Sequence, residues 1–173
     1  MASIDIELPN GWDPRGYQLD AWMALEAGVK RAILLWHRRA GKDSVCLNWT
    51  AAQTQLVTGV YWHMLPTNKQ ARKVLWDGID RNGNRMMEQA FPKALRKSTN
   101  GTEMRIEMKA GSIWYACGSD NYDNLVGSNP VGVVFSEYPL ANPDAWDYIR
   151  PILAENGGWA LFPYTPRGRN HGY

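Results

Sequence analysis

The stretch from Arg31 to Trp49 constrains the chain most: Arg-Ala-Ile-Leu-Leu-Trp-His-Arg-Arg-Ala-Gly-Lys-Asp-Ser-Val-Cys-Leu-Asn-Trp. Ala32 to Trp36 is an apolar run of strand length and composition. Asp43 or Ser44 can cap a helix that begins there, with Val45, Trp49 and Ala52 on one apolar face. A tight turn ending in Gly41-Lys42 joins strand to helix. Such a unit forms a phosphate cradle, because unpaired backbone N–H groups and the helix dipole point at one spot. Lys42 adds a positive charge where the terminal phosphates of a nucleotide would lie. The match to the pattern G-x-x-x-x-G-K-[ST] is incomplete. Trp36 stands at its first glycine, Asp43 follows the lysine, and Ser44 comes one place later. Taken alone, the window also fits an ordinary turn with a solvated lysine.

A chain of 173 residues is long enough for one domain with a real core. Nine tryptophans and an aromatic share of 12% argue for packing and against disorder. The formal charge of +2 gives no strong field toward nucleic acid or membrane. The basic residues are nevertheless grouped: Lys30, Arg31, Arg38, Arg39 and Lys42; Lys93, Arg96 and Lys97; Arg167 and Arg169. Cys46 and Cys117 are far apart and lack zinc-ligand spacing, which suits a reducing compartment. The first residues form no signal peptide, and no apolar run is long enough to span a bilayer. A soluble, intracellular protein is expected.

Along the chain, Arg15 to Gly28 has helical apolar spacing and carries Gln18. A side-chain amide matches the N6 and N7 edge of adenine, although a lone Gln is more often a surface residue. Gly59 to Leu65 reads as a second strand, in which His63 is read as packed. Asn68 to Ile79 reads as an amphipathic helix with Ala71, Val74, Leu75 and Ile79 inward. Asp80 to Asn100 is polar and basic, with helix expected over Met86 to Ala94. Glu103 to Met108 and Ser112 to Cys117 alternate around Ala110-Gly111 as a hairpin. Gly118 to Asn129 is a long loop or short helix. Val131 to Phe135 is apolar on both faces, as a buried strand is, and ends in Ser136-Glu137-Tyr138. Asn142 to Glu155 is helical with Pro143 in its first turn, and Trp159 to Pro163 is a last strand running into Thr165 to Asn170.

Three strands thus end in polar turns at what would be one edge of a parallel sheet, where open α/β sheets bind ligands. This order, with Gln18 ahead of it, fits an ATP site. Lys42 and the loop amides would hold the β- and γ-phosphates. Asp43 or Ser44 would bind Mg²⁺, Glu137 would orient the attacking water, and Thr165 or Asn170 would lie near the γ-phosphate.

These stretches together resemble the ATPase domain of the large terminase subunit of tailed bacteriophages, the motor that pumps DNA into an empty capsid. His37-Arg38-Arg39-Ala40-Gly41-Lys42-Asp43-Ser44 resembles that family's variant Walker A loop, and Val133-Val134-Phe135-Ser136-Glu137-Tyr138 its Walker B strand. Thr165-Pro166-Arg167-Gly168-Arg169-Asn170 resembles the coupling motif, and Gln18 the adenine-binding glutamine. The resemblance covers nearly the whole chain. It implies an α/β, RecA-like P-loop ATPase fold of the ASCE type, a mainly parallel sheet flanked by helices. The glutamate strand is then expected beside the phosphate-loop strand. Lys42 and Glu137 take the catalytic roles. Arg38 takes that of the loop arginine at the γ-phosphate, with Arg39 as runner-up. ATP and Mg²⁺ are the implied cofactors. Double-stranded DNA, the portal protein and a small terminase subunit are the implied partners, in a homo-oligomeric ring on the capsid in the host cytoplasm, with the isolated chain able to be a monomer. Arg150, Arg167 and Arg169 are candidates for an arginine donated to a neighbour's site.

Two departures stand out. Ser136 occupies the place of a Walker B aspartate, and Asp43 beside Lys42 could return the missing charge, making Asp43, Ser44 and Ser136 the expected metal residues. Residues 1–173 are expected to be a single ATPase domain without the usual C-terminal nuclease, so no DNA cleavage is expected. The rival readings are a helicase-like P-loop ATPase and a nucleotide-binding assembly module without turnover.

Overall fold

The computed structural model describes residues 7–125 and 127–169. Its centre is a seven-stranded sheet built from β1 (Arg31–Leu35), β2 (Val60–Leu65), β3 (Arg96–Asn100), β4 (Arg105–Met108), β5 (Ile113–Gly118), β6 (Pro130–Phe135) and β7 (Trp159–Tyr164). The strands lie in the order β1-β7-β6-β2-β5-β4-β3. The run from β1 to β5 is parallel, while β4 pairs antiparallel with β5 and β3 with β4. Among the described residues five α-helices flank the sheet: α1 (Leu19–Glu26), α2 (Lys42–Leu56), α3 (Asn68–Ala71), α4 (Met86–Ala90) and α5 (Pro143–Glu155). The architecture is the α/β, mainly parallel one expected.

Alternation along the strands divides the core in two. Leu34, Tyr61, Leu65, Val134 and Leu161 face α2, whose Val45, Cys46 and Trp49 meet them. Trp62, Met64, Val133, Phe135, Ala160 and Phe162 face the other way, onto Ala145, Ile149 and Leu153 of α5. By the same parity, His63 within β2 lies on the α2 face, and Ser136 and Thr165 continue that face just past the C-terminal ends of β6 and β7. Helix α2 is buried on nearly every side, beyond the single apolar face expected. Its polar residues allow this by bonding back to their own helix: Asn48 Nδ2 to Ser44 O at 2.9 Å and Thr50 Oγ1 to Cys46 O at 2.7 Å.

Three expectations need correction. The glutamate strand β6 does not lie beside the phosphate-loop strand, because β7 pairs with both and separates them. All of β7 is buried, which suits an interior parallel strand. Gly132 of β6 gives its large Trp159 room: a Cβ there would come within 2.4 Å of that ring. The helix from Asn68 ends at Trp76, its last turn being a π-turn closed by Asp77 N–H on Arg72 O at 2.8 Å. Ile79, expected inward, is 64% exposed. Within the polar stretch from Asp80 to Asn100, helix is confined to α4 and a 3-10 turn at Lys93–Leu95, and the last five residues form β3.

Candidate nucleotide-binding site

After β1 the chain turns through residues 36–41 and enters α2. Arg39 and Gly41 both have left-handed backbones, at φ 62° and 74°. Gly41 suits its place twice over, since a Cβ there would lie 3.1 Å from Gln18 Nε2. The Ala40 carbonyl between them accepts from Gln18 Nε2 at 2.7 Å and from the Tyr17 hydroxyl at 2.9 Å. A planar trans peptide then turns the Gly41 N–H to the side away from Gln18. The first helical bond runs from Val45 N–H to Gly41 O at 3.0 Å, and the amides of Gly41, Lys42, Asp43 and Ser44 have no acceptor among the described residues. Four donors at one helix N-terminus make an anion site.

A cavity of about 340 Å³ opens in front of these amides. Arg38 to Ser44 line one side of it, and Met86, Glu137, Thr165 and Arg167 the other. Lys42 is buried, and its ammonium donates to Trp36 O at 3.1 Å, His37 O at 2.9 Å and Thr165 Oγ1 at 3.0 Å. Neutral oxygens hold it there, so its charge remains available to an entering anion. Glu137 follows β6 in a left-handed conformation (φ 54°, ψ 42°), anchored by its N–H on Pro163 O at 2.8 Å. Its Oε2 is buried without a hydrogen bond among the described residues, and Arg167 Nε lies 3.6 Å away. A strained backbone that aims a carboxylate into a cavity is a frequent mark of a functional residue.

Asp43 sits at the base of the cavity. Its Oδ1 accepts from Ser136 Oγ at 2.5 Å and faces His63 Nε2 at 3.4 Å. Burial alone would raise the Asp43 carboxyl. The bond and charge of His63, the bond from Ser136 and the charge of Lys42 outweigh burial and hold it below the usual carboxylate value. Oδ2 makes no hydrogen bond among the described residues. Ser44 Oγ accepts from Trp12 Nε1 at 3.0 Å, which leaves its own proton and a lone pair. One carboxylate and two hydroxyls, open to waters and phosphates, suit Mg²⁺. Among the described residues no group of three or more His, Cys, Asp or Glu could hold a metal, so Mg²⁺ would come with a nucleotide's phosphates.

The fold therefore brings Arg38, Arg39, Ala40, Gly41, Lys42, Asp43, Ser44, Glu137 and Thr165 around one cavity, with Ser136 attached through Asp43. Gln18 lies buried beneath the loop. Its Nε2 is used on Ala40 O and its Oε1 accepts from Arg15 N–H at 2.9 Å, which is the position of a brace. Asn170 lies outside the described residues. Sequence reasoning missed Trp12, Tyr17, Met86 and the contact of His63. For His63, strand parity was the available signal, but the partner strand was not.

The chain aligns with solved structures over most of its length. The large terminase ATPase domain of Thermus phage P74-26 matches with a TM-score of 0.70 at 22% identity, over 92% of this chain and 68% of that one. A point mutant of the same domain gives 0.70 at 21% identity, over 93% and 68%. The fold is that of a large terminase ATPase domain. The large terminase of a second thermophilic bacteriophage matches with a TM-score of 0.66 at 14% identity, over 82% of this chain and 35% of that one. It has also been solved with ADP and with ATP-γ-S. No protein-family model and no curated protein matches the chain. Among the described residues no helix is long and apolar enough to cross a membrane.

Proposed function

We propose that this chain is a Mg²⁺-dependent ATPase whose turnover drives double-stranded viral DNA into a preformed capsid. The observation that carries the reading is the meeting of Lys42, the free amides of α2 and Glu137 around one cavity at the C-terminal edge of a parallel sheet. The solved relatives support it, being ATPase domains of terminases or terminases bound to ADP and ATP-γ-S.

In this reading the amides and Lys42 hold the β- and γ-phosphates, and Arg38, with Arg39 as the alternative, reaches the γ-phosphate. Glu137 orients the attacking water and draws on its proton, a role open to a carboxylate whose Oε2 has no hydrogen bond among the described residues. Asp43, Ser44 and Ser136 would hold Mg²⁺, which when bound neutralises charge on the phosphates. To grip a phosphate, Lys42 must give up some of its present oxygens. Thr165 is among them, so β7 feels whether a nucleotide is there. The working form is a homo-oligomeric ring with the portal and a small terminase subunit, in which Arg150, Arg167 or Arg169 reaches a neighbour's site.

Phosphate release and binding of a fluorescent ATP analogue test this together. Lys42→Ala should lose both. Glu137→Gln should keep binding and lose turnover by about 10²–10⁴-fold. A chain that binds ATP while Glu137→Gln leaves its rate unchanged is a binding module, and a chain that binds no ATP is no motor.

A further inference from the structure

His63 is the most deeply buried polar side chain near the cavity, at 0% exposure, and the reading above gives it no task. It stands on β2, two strands away from the β7 that Lys42 touches, on the face that α2 covers. Its Nε2 faces Asp43 Oδ1 at 3.4 Å, while its Nδ1 is buried with no hydrogen-bond partner among the described residues. Buried polar atoms almost always find partners, so a ring that leaves one nitrogen unpaired is kept for what the other does.

What the other does follows from an exchange at the loop. In the general P-loop arrangement a hydroxyl follows the lysine and an acid ends the facing strand, and both serve the metal. Here the acid, Asp43, follows the lysine and the hydroxyl, Ser136, ends the strand, and the two are hydrogen-bonded. A carboxylate on the first turn of a helix is longer than a hydroxyl and free to rotate. Ser136 and His63 both meet its Oδ1, from the end of β6 and from β2, and Oδ2 of this cavity-lining residue makes no hydrogen bond among the described residues. Two donors from neighbouring strands fix both the position and the rotation of the carboxylate, as partners of metal-bound carboxylates do.

We propose that His63 is a positioning residue: its Nε2–H holds Asp43 so that Oδ2 is presented to the metal that accompanies the nucleotide. This rests on the ATPase reading and adds to it a residue outside every phosphate-loop pattern.

The test is binding of fluorescent ADP by the whole chain, in EDTA and then across a Mg²⁺ titration. His63→Leu should bind ADP without metal as the wild type does, yet require about tenfold or more Mg²⁺ for its metal-dependent gain in affinity. His63→Gln, whose amide N–H can reach the same oxygen, should recover most of that gain. Equal weakening of ADP with and without Mg²⁺ would reveal a packing role and overturn the proposal, as would a Mg²⁺ requirement identical to wild type. Should the leucine variant not fold, ¹⁵N spectra of the three histidines carry the test. The signal absent from the His63→Gln spectrum should move when Mg²⁺ joins ADP on the wild-type chain, and its standing still overturns the proposal. A wild-type chain that binds no ADP brings down the ATPase reading itself. One that binds with help from Mg²⁺, while the leucine variant behaves alike, brings down the role of His63 alone.

Discussion

At the scale of single residues, the contact between Asp43 and Ser136 turns two apparent defects of the motifs into one feature. Neither side chain fits its position in the general pattern, but each fits the other. Side chains in direct contact and serving one ligand should act non-additively. Asp43→Ser alone removes the charge, and Ser136→Asp alone puts two carboxylates within touching distance, so each should weaken Mg²⁺-dependent ADP binding. The double variant, with hydroxyl and acid returned to their usual places, should regain much of the loss, with a coupling of about 0.5–3 kcal/mol. Calorimetric titration of ADP with Mg²⁺ into the four proteins measures it, and strict additivity would mean the pair is incidental.

At the scale of elements, what was legible was what is encoded locally. The apolar runs of β1, β2, β6 and β7, the hairpin of β4 and β5, and helices α1, α2 and α5 show their periods and their Gly and Pro punctuation in the sequence. Strand β3 was not legible because Arg-Lys-Ser-Thr-Asn has no apolar face; it is an exposed edge strand that exists because β4 offers it a ladder. The end of the helix at Trp76 was hidden for a related reason. It depends on a π-turn, and on Gly78, where a Cβ would lie 1.8 Å from Val74 O. The phosphate loop was legible as a loop, but its support was not. Gln18 reads as a ligand for a base, whereas the fold sets it under Ala40, 22 residues away. Gln18→Leu should therefore leave the Ala40 carbonyl to Tyr17 alone and cost about 1–3 kcal/mol of stability in urea denaturation. The same variant should weaken binding of ATP and ADP alike, since the loop they share would be loosened. An unaltered denaturation midpoint would show that the brace carries no strain.

At the scale of the whole molecule, the sheet order is what no local pattern could supply. Placing β7 between β1 and β6 sets Lys42 and Thr165 in contact at 3.0 Å and brings Glu137 to the same cavity. Both cysteines are buried in the two cores, where burial raises their thiols above the ordinary range. The two ends of the sheet are unlike. β3 closes one with exposed Lys97, Ser98, Thr99 and Asn100, residues that discourage further pairing. β1 closes the other, paired on one side only among the described residues, with Ile33 63% and Leu35 52% exposed. Such a border invites an additional strand, so the chain should self-associate at high concentration. Ile33→Lys should suppress this, as read by light scattering against concentration. The phosphate loop hangs from this edge strand. Whatever comes to lie along β1 would therefore grip the root of the loop as well, and crowding of neighbours and retention of nucleotide would rise and fall together.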